Sequence, residues 1–351
     1  MIHDRIRRAR VLRGLSLDEL ANKLGDISKQ ALSKFEKGDA KPSSTRLLQL
    51  AKALDLKPEY FFRQDTVTLA PLEFRKLARM PRYRQAQIEE QVREHLERYL
   101  ALERCFDARD VAVASEVMGS VVVDCVDDAE DAASLVRARW EIGHDAIANL
   151  TDLLEERGIK IALIDGPDDF DGACAVTRDG RHALIALNVS RPGERIRFTA
   201  AHELGHWVMA LPESMPAKTA EACCHRFAGA FLYPKEQVLN DFGRHQRSRV
   251  HPEELLNAKL RHGVSMQVAL RRLKDLGLLG DTGYTAAQIL FGKYGWRSAE
   301  PSPFLPERPR RFESLVFWGL AEGLFTRSRA AEFLQRPISE LDPERCTQLP
   351  A

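Results

Sequence analysis

The chain has 351 residues, of which 44% are hydrophobic and 29% are charged. This length predicts two or three domains, and the composition excludes a disordered, collagen-like or coiled-coil protein. The net charge is only +1, but residues 1–65 hold fourteen Lys/Arg against nine Asp/Glu. We therefore expect the first segment, and not the whole chain, to contact a polyanion.

Several features of the sequence predict a cytoplasmic location. No run of about 18 apolar residues is present to span a membrane. The first fifteen residues, MIHDRIRRARVLRGL, are too charged for a secretory signal. The six cysteines are scattered and do not form a disulfide framework, which favours a reducing compartment.

Residues 1–65 predict an all-α domain of short helices. Ser16 followed by Glu19 is the pattern of a capping box, which starts a helix. A short turn containing glycine separates this helix from the next, which we expect to begin at Ser28 and to end at Gly38.

Two helices joined by such a turn, with polar residues exposed on the second, fit the major groove of DNA. The positions expected to contact base edges or phosphates are Lys29, Gln30, Ser33 and Lys34. Glutamine can bind adenine through two hydrogen bonds, whereas lysine favours guanine or the backbone. A small interaction domain with a solvated basic face would have the same pattern, so spacing alone leaves both open.

The segment LSLDELANKLGDISKQALSKFEKGDAKPSSTRLLQLAKAL resembles the lambda-repressor-like helix-turn-helix family, also called the XRE family. The resemblance covers about sixty residues. It implies that the domain binds a double-stranded DNA operator as a homodimer and acts in transcription regulation.

Residues 66–110 predict a helical connector. After Pro81, apolar residues recur at helical spacing from Ile88 to Leu102, which indicates one long amphipathic helix. Such a helix can form a dimer contact, transmit a signal between domains, or pack on the following domain.

Residues 111–290 predict an α+β domain. We expect a helix over 136–157, followed by short strands at 159–164, 173–176 and 183–187.

The residues that follow contain the sequence HELGH at 202–206, an HExxH motif in a segment that should be helical. Residues i and i+4 lie on one helix face, so His202 and His206 can hold one metal ion with Glu203 beside them. This arrangement suits zinc with an adjacent carboxylate base. The alternative is a pair of core histidines with satisfied hydrogen bonds, since the apolar neighbours predict a buried helix.

A catalytic zinc usually has three protein ligands and one open position, so a third ligand is expected. The next apolar helix, TAEACCHRFAGAFLYP, offers Glu221, Cys223, Cys224 and His225. Glu221 and His225 share a helix face, and Cys224 is three residues from Glu221. Spacing alone does not choose between Glu221 and His225.

The segment FTAAHELGHWVM, followed by the FAGAFLYP ending, resembles the ImmA/IrrE family of zinc metallopeptidases over about residues 135–280. Matching that ending places the ligand glutamate of the family on Glu221. Members of the family often have an acidic residue followed by alanine at the two positions that Cys223 and Cys224 occupy here. We therefore expect these cysteines to be small buried residues. The resemblance implies a zincin-like fold and a Zn²⁺ ion. The implied zinc ligands are His202, His206 and Glu221.

The same resemblance implies a metallo-endopeptidase. Zinc lowers the pKa of a bound water, and Glu203 would take its proton during attack on the scissile carbonyl and pass it to the departing amine. Candidates for stabilising the oxyanion are Tyr233, His225 and His182. Three further histidines, His245, His251 and His262, lie in a polar stretch and are expected at the surface.

Residues 291–351 predict an extended connection rich in Pro and Arg, followed by a helical C-terminal region. The expected architecture is therefore multidomain, with an all-α helix-turn-helix domain followed by an α+β zincin-like metallopeptidase domain.

Three functions are compatible with these resemblances. The first is a stress-responsive regulator that binds an operator and cleaves a repressor, either itself at the 65–110 connector or a partner. The second is a transcription factor whose peptidase-like domain only senses a ligand or a metal. The third is an antitoxin-like DNA-binding protein whose C-terminal region holds a toxin or another partner.

Overall fold

The structure is a computed structural model. The residues that it describes are 1–64, 67–70, 80–107 and 119–341. Among these residues, no helix is both long enough and apolar enough to cross a membrane.

The described residues form α-helices and short β-strands. The helices are α1 (Ile2–Leu12), α2 (Leu17–Leu24), α3 (Lys29–Lys37), α4 (Ser44–Ala53), α5 (Arg82–Glu103), α6 (Asp128–Arg139), α7 (Leu150–Glu156), α8 (Gly193–Val208), α9 (Ala217–Leu232), α10 (Lys235–Phe242), α11 (Pro252–His262), α12 (Met266–Asp275), α13 (Asp281–Lys293), α14 (Arg311–Ala321) and α15 (Arg327–Leu334). The strands are β1 (Val121–Val122), β2 (Lys160–Ile164), β3 (Gly172–Val176), β4 (Ala183–Asn188) and β5 (Met209–Ala210).

These elements divide into two compact units. The first unit contains the described residues among 1–108, 175–179 and 315–341, and the second contains those among 109–174 and 180–314. The helix-turn-helix region therefore belongs to the first unit, and the HExxH motif belongs to the second.

The expected capping box starts the second helix of the first unit. The Ser16 hydroxyl accepts a hydrogen bond from the Glu19 amide at 3.1 Å, and the Glu19 carboxylate accepts one from the Ser16 amide at 2.7 Å. Gly25 ends this helix with φ of 78°, in the left-handed region that glycine adopts without strain. Ser28 then starts α3 by accepting a bond from the Ala31 amide, so the predicted helix-turn-helix is confirmed.

Apolar side chains from α1 to α4 and from the 3₁₀ turn at Pro58–Phe62 form one buried core. Its fully buried members are Ile6, Ala9, Leu20, Leu32, Leu50 and Leu54. Because this core is shared by the four short helices, the turn and adjoining residues, it holds α2 against α3.

The long helix predicted after Pro81 is present as α5, and a buried set of charges joins it to α1. Arg5 donates to Glu97 at 2.9 Å and to the carbonyl of Gln64 at 2.7 Å. Arg8 donates to Glu97 at 3.0 Å and to Glu90 at 2.5 Å. Residues 66, 71–79 and 108–110 of the predicted connector lie outside the described residues.

The C-terminal helices α14 and α15 confirm the expected helical region. In the first unit, the Trp318 ring lies 5.0 Å from that of Phe106, and the Phe325 ring lies 5.3 Å from that of Phe333. Residues 303–310 form neither helix nor strand, as expected for the connection. The last ten residues of the predicted region, 342–351, lie outside the described residues.

The single helix expected over 136–157 is wrong, because two helices occupy this part of the second unit. Helix α6 ends at Arg139, and Gly143 has φ of 59° in the left-handed region, which a helix cannot contain. The Asn149 side chain then starts α7 by accepting a bond from the Asp152 amide at 3.1 Å. The turn at Gly143 and the cap at Asn149 therefore divide this segment into two helices, although the apolar spacing alone predicted one.

The three expected strands form one sheet in the order β2-β4-β3. Strand β4 lies in the middle and pairs parallel with β2, with Lys160 opposite Leu184. All residues of β4 are buried, and α8 packs against this strand. A second, two-stranded parallel sheet joins β1 to β5 directly after α8, with Val121 opposite Met209.

The surface position expected for His262 is wrong, although His245 and His251 are exposed as expected. The side chain of His262 is 1% exposed, its Nε2 lies 2.9 Å from Asp241, and its ring stacks on Tyr233 at 4.2 Å. Burial lowers the pKa of His262, although the Asp241 carboxylate acts in the opposite direction. The polar sequence did not reveal this position because the burial comes from contacts with Asp241 on α10 and with Tyr233, which follows α9.

We expect Arg5→Ala to destabilise the first unit by about 1.5–3 kcal/mol, because Glu97 would lose a buried arginine donor while Arg8 still pairs with it. Urea denaturation of the full chain, followed by circular dichroism, measures the change. The matched control is Arg7→Ala, which removes an exposed arginine from the same helix and should change the free energy of unfolding by less than about 0.5 kcal/mol. Equal effects of the two substitutions would contradict a structural role for the buried pair.

Candidate metal centre and nucleic-acid interface

The HExxH motif lies on α8, and α9 packs closely against this helix. A Cβ atom added to Gly205 would lie 3.0 Å from Cδ1 of Phe227. A residue with a side chain at this position would therefore require the Phe227 ring to shift. The contact brings one face of α9 within reach of the two histidines.

The three residues implied as zinc ligands come together. His202 Nε2 lies 3.1 Å from His206 Nε2. The Glu221 carboxylate places one oxygen 3.4 Å from His202 Nε2 and the other 3.4 Å from His206 Nε2. Two ligand atoms on one tetrahedral zinc ion, with bonds of about 2.0–2.1 Å, would be about 3.3–3.4 Å apart. These side chains therefore fit a common ion without rearrangement of the helices.

The site is buried around His202 and Glu203 and more open around His206 and Glu221. His202 is 2% exposed and Glu203 is 5% exposed, whereas the side chains of His206 and Glu221 are 20% and 30% exposed. Glu203 follows His202 directly on the same buried helix. The arrangement therefore offers metal ligands, an adjacent carboxylate and access from the protein surface.

Two further donor residues of α9 lie near this cluster. Ligand atoms of His202, His206 and Cys224 lie within 4.8 Å of one another, and so do those of His202, Glu221 and His225. The sequence signal for both was the spacing from Glu221, because residues i, i+3 and i+4 share a helix face. Cys224 was nevertheless expected to be only a small buried residue.

His225 and Cys223 differ from Cys224 in their surroundings. The His225 ring is exposed, its Nδ1 lies 2.7 Å from the carbonyl of Glu221, and its centroid lies 4.6 Å from that of His202. Cys223 is fully buried, and burial raises the pKa of its thiol, with Cys125 and Asp128 acting in the same direction. The two adjacent cysteines thus belong to different environments.

Of the three oxyanion candidates, only His225 belongs to one of the two donor groups. Tyr233 is fully buried and donates its hydroxyl hydrogen to Asp241 at 2.7 Å. Burial and this hydrogen bond raise the pKa of Tyr233. His182 is half-buried in the turn before β4. The position of Tyr233 therefore indicates a structural role.

Buried ion pairs hold the two helices of the site, and sequence reasoning missed them. In α8, Glu194 pairs with Lys259 at 2.6 Å. In α9, Arg226 pairs with Glu130 at 2.7 Å. Glu130 also accepts two hydrogen bonds from Arg272, at 2.5 and 2.7 Å. These partners lie far apart in the chain, so no local spacing could indicate them.

The nucleic-acid interface predicted on α3 is accessible. Lys29, Gln30 and Lys34 are exposed, and Ser33 is half-buried. The Lys29 ammonium lies 2.6 Å from the carboxylate of Asp18, in an exposed ion pair of small energetic value. Thus three of the four side chains can contact another molecule without any change in the fold.

Helix α3 is also fixed to α1. The Glu36 carboxylate accepts two hydrogen bonds from Arg10, at 2.6 and 2.8 Å. A bidentate pair of this kind restricts rotation of α3 about its axis.

Comparison with known proteins assigns both regions. Residues 6–61 match the helix-turn-helix family model, and residues 154–274 match the model of the IrrE N-terminal-like domain, a peptidase family. None of the curated proteins matches this chain. The crystal structure of ComR from S. thermophilus, in complex with DNA and its signalling peptide ComS, aligns with 92% of this chain and 100% of that chain at 15% identity. Its TM-score of 0.19 is too low to support an argument. The chain is therefore a fusion of a helix-turn-helix domain with a domain of the IrrE N-terminal-like peptidase family.

Proposed function

We propose that this protein is a DNA-binding transcription regulator whose IrrE-like domain is a zinc-dependent peptidase. In this proposal it cleaves a repressor, either itself or a partner protein, in response to stress or another signal. The observation that carries the proposal is the convergence of His202, His206 and Glu221, with donor atoms 3.1–3.4 Å apart, in a chain that also has a helix-turn-helix domain.

The proposed organisation has four parts. They are a DNA-binding domain at 1–65, a helical connector at 66–110, a metallopeptidase domain at 111–290 and a helical C-terminal region at 291–351. The buried core shared by α1–α4 and the 3₁₀ turn supports the first boundary, and α5 supports a helical connector.

The proposed zinc ligands are His202, His206 and Glu221. When bound, zinc would supply a Lewis acid that polarises a carbonyl and lowers the pKa of water. Glu203 is the proposed general base, because it follows the ligand His202 on the same helix and is almost fully buried. Its carboxylate would accept the proton of the attacking water and donate it to the departing amine.

In the DNA-binding domain, the proposed contacts are Lys29, Gln30, Ser33 and Lys34, in the major groove of a double-stranded operator. The exposure of Lys29, Gln30 and Lys34 supports this assignment. We propose that a homodimer binds the operator, since helix-turn-helix domains that bind as dimers contact two half-sites.

The second candidate function is a transcription factor whose peptidase-like domain only senses a metal. The proximity of Cys224 and His225 to the histidines favours it, because a site with more than three protein donors can be closed to substrate.

The first prediction for this site concerns metal content. Purified protein should bind about one zinc per chain, measured by elemental analysis and by competition with a chelator. Glu221→Ala should lower the zinc affinity about tenfold or more, whereas His225→Ala should leave it nearly unchanged because the ring is exposed at the edge of the site. Loss of zinc from His225→Ala alone would assign the third ligand to His225.

The second prediction concerns peptide-bond cleavage. Glu203→Gln should keep zinc and DNA binding but lower cleavage about 10²–10⁴-fold, the usual contribution of a general base. Zinc-loaded full-length protein is incubated alone and with extracts containing candidate repressors, and fragments are identified by mass spectrometry. If Glu203→Gln and the unsubstituted protein yield the same fragments at the same rate, this domain is not the peptidase.

The third prediction concerns DNA. Selection from a pool of random duplexes should yield an operator, and binding should weaken as salt rises because phosphate contacts release counterions. Gln30→Ala should relax preference at one base pair by about 1–3 kcal/mol, whereas Lys34→Ala should weaken binding to all sequences and reduce the salt slope by about 1.

The control for the DNA experiment is Lys235→Ala, an exposed lysine of the second unit, which should leave gel-shift titrations unchanged. Equal losses on all sequences for Gln30→Ala and Lys34→Ala would show that Gln30 does not contact a base.

A further inference from the structure

We infer that Cys224 is a fourth protein ligand of the proposed zinc ion in the resting protein. The ion would then be held by two imidazoles, one carboxylate and one thiolate, with no position open to substrate. This inference rests on the proposed zinc site, and it adds a means of regulating that site.

The position of Cys224 on α9 is the first argument. It lies one helical turn after Glu221, on the face that packs against α8. The side chain is fully buried, so its sulfur belongs to the interior of the site and not to the protein surface. A thiol at this position places a zinc-binding side chain between α8 and α9, because thiolates are ligands that suit zinc.

The distances are the second argument. The Cys224 sulfur and the donor nitrogens of His202 and His206 all lie within 4.8 Å of one another. With bonds of about 2.3 Å to sulfur and about 2.05 Å to nitrogen, a tetrahedral ion holds a sulfur ligand and a nitrogen ligand about 3.6 Å apart. The sulfur therefore needs to move by up to about 1.2 Å, which lies within the range of a side-chain adjustment.

The balance of charge is the third argument. Two neutral imidazoles and one carboxylate leave a bound Zn²⁺ ion with one uncompensated positive charge. Coordination of the Cys224 thiolate, with loss of the thiol proton to water, makes the complete site neutral. Because His202 is only 2% exposed, neutrality matters here, since an uncompensated charge is costly in a buried environment.

His225 is the competing donor and is less suited to this position. Its Nδ1 is 2.7 Å from the Glu221 carbonyl, and its ring is exposed. The hydrogen bond orients the ring at the edge of the site. At this edge His225 can contact a substrate, whereas Cys224 would bind the ion from the buried side of the site.

Four protein ligands are typical of closed zinc sites, whereas catalytic sites keep one position for water. The resting site is therefore latent. Cleavage requires that a signal or a bound substrate displaces the Cys224 sulfur, which then takes up a proton from water. A peptidase domain attached to a DNA-binding domain would in this way remain inactive until it is triggered.

The adjacent Cys223 provides a matched control. Both cysteines are fully buried on α9, but Cys223 interacts electrostatically with Cys125 and Asp128. Replacing either one by alanine removes the same atoms from the same helix, so a general packing effect should appear in both variants.

Cobalt(II) serves as the probe, because Co²⁺ coordinated by a thiolate has a sulfur-to-metal charge-transfer band in the near ultraviolet. Metal-free full-length protein is titrated with Co²⁺. The unsubstituted protein and Cys223→Ala should show both the visible bands of tetrahedral cobalt and the charge-transfer band. Cys224→Ala should keep the visible bands, lose the charge-transfer band and bind zinc about tenfold or more weakly.

The outcomes separate this inference from the proposed function. Cobalt binding without a charge-transfer band in the unsubstituted protein would overturn the Cys224 ligand and leave the three-ligand site intact. A complete lack of cobalt and zinc binding would overturn the proposed zinc site itself. If Cys224→Ala does not fold, Cys224→Ser and X-ray absorption of the zinc-loaded protein decide, since one sulfur at about 2.3 Å from zinc is expected and its absence would refute the ligand.

Discussion

The close packing of α8 against α9 is the constraint on which the candidate metal centre depends. Gly205 allows this approach because it has no side chain to meet the Phe227 ring. At this distance a donor on α9 can reach the two imidazoles on α8, so the i, i+4 pair of one helix becomes a site shared by two. Two successive turns of α9 then contribute side chains with metal-binding chemistry, at Glu221 and at Cys224 and His225.

Buried ion pairs fix the packing of these helices in one arrangement. Burial raises the pKa of Glu130, but hydrogen bonds and charge from Arg272 and Arg226 outweigh it, so the pKa of this carboxyl is lowered. In the first unit, Arg5 and Glu97 form a comparable pair between α1 and α5. Such pairs contribute little net stability relative to apolar packing, but the loss of one partner is costly. They therefore favour specificity of packing in both units.

The chemistry of the metal centre depends on how many of its donors bind at once. Three ligands leave a position at which Glu203 can act on water, whereas a fourth ligand at Cys224 closes that position. In the proposed site, a peptidase and a metal sensor would differ by the state of one thiol, and the same residues would serve both. In a chain that also contains a helix-turn-helix domain, this difference would couple metal chemistry to the control of transcription.

The sequence by itself determined the features that depend on neighbours along the chain. Capping by Ser16 and the i, i+4 spacing of His202 and His206 are local, because a helix turn brings such residues together whatever surrounds them. Only the tertiary structure decided which of the donors on α9 meet these histidines and that His262 is buried. Those outcomes depend on the angle and distance between helices, which are set by packing and by ion pairs between residues remote in sequence. Local spacing therefore cannot predict these outcomes.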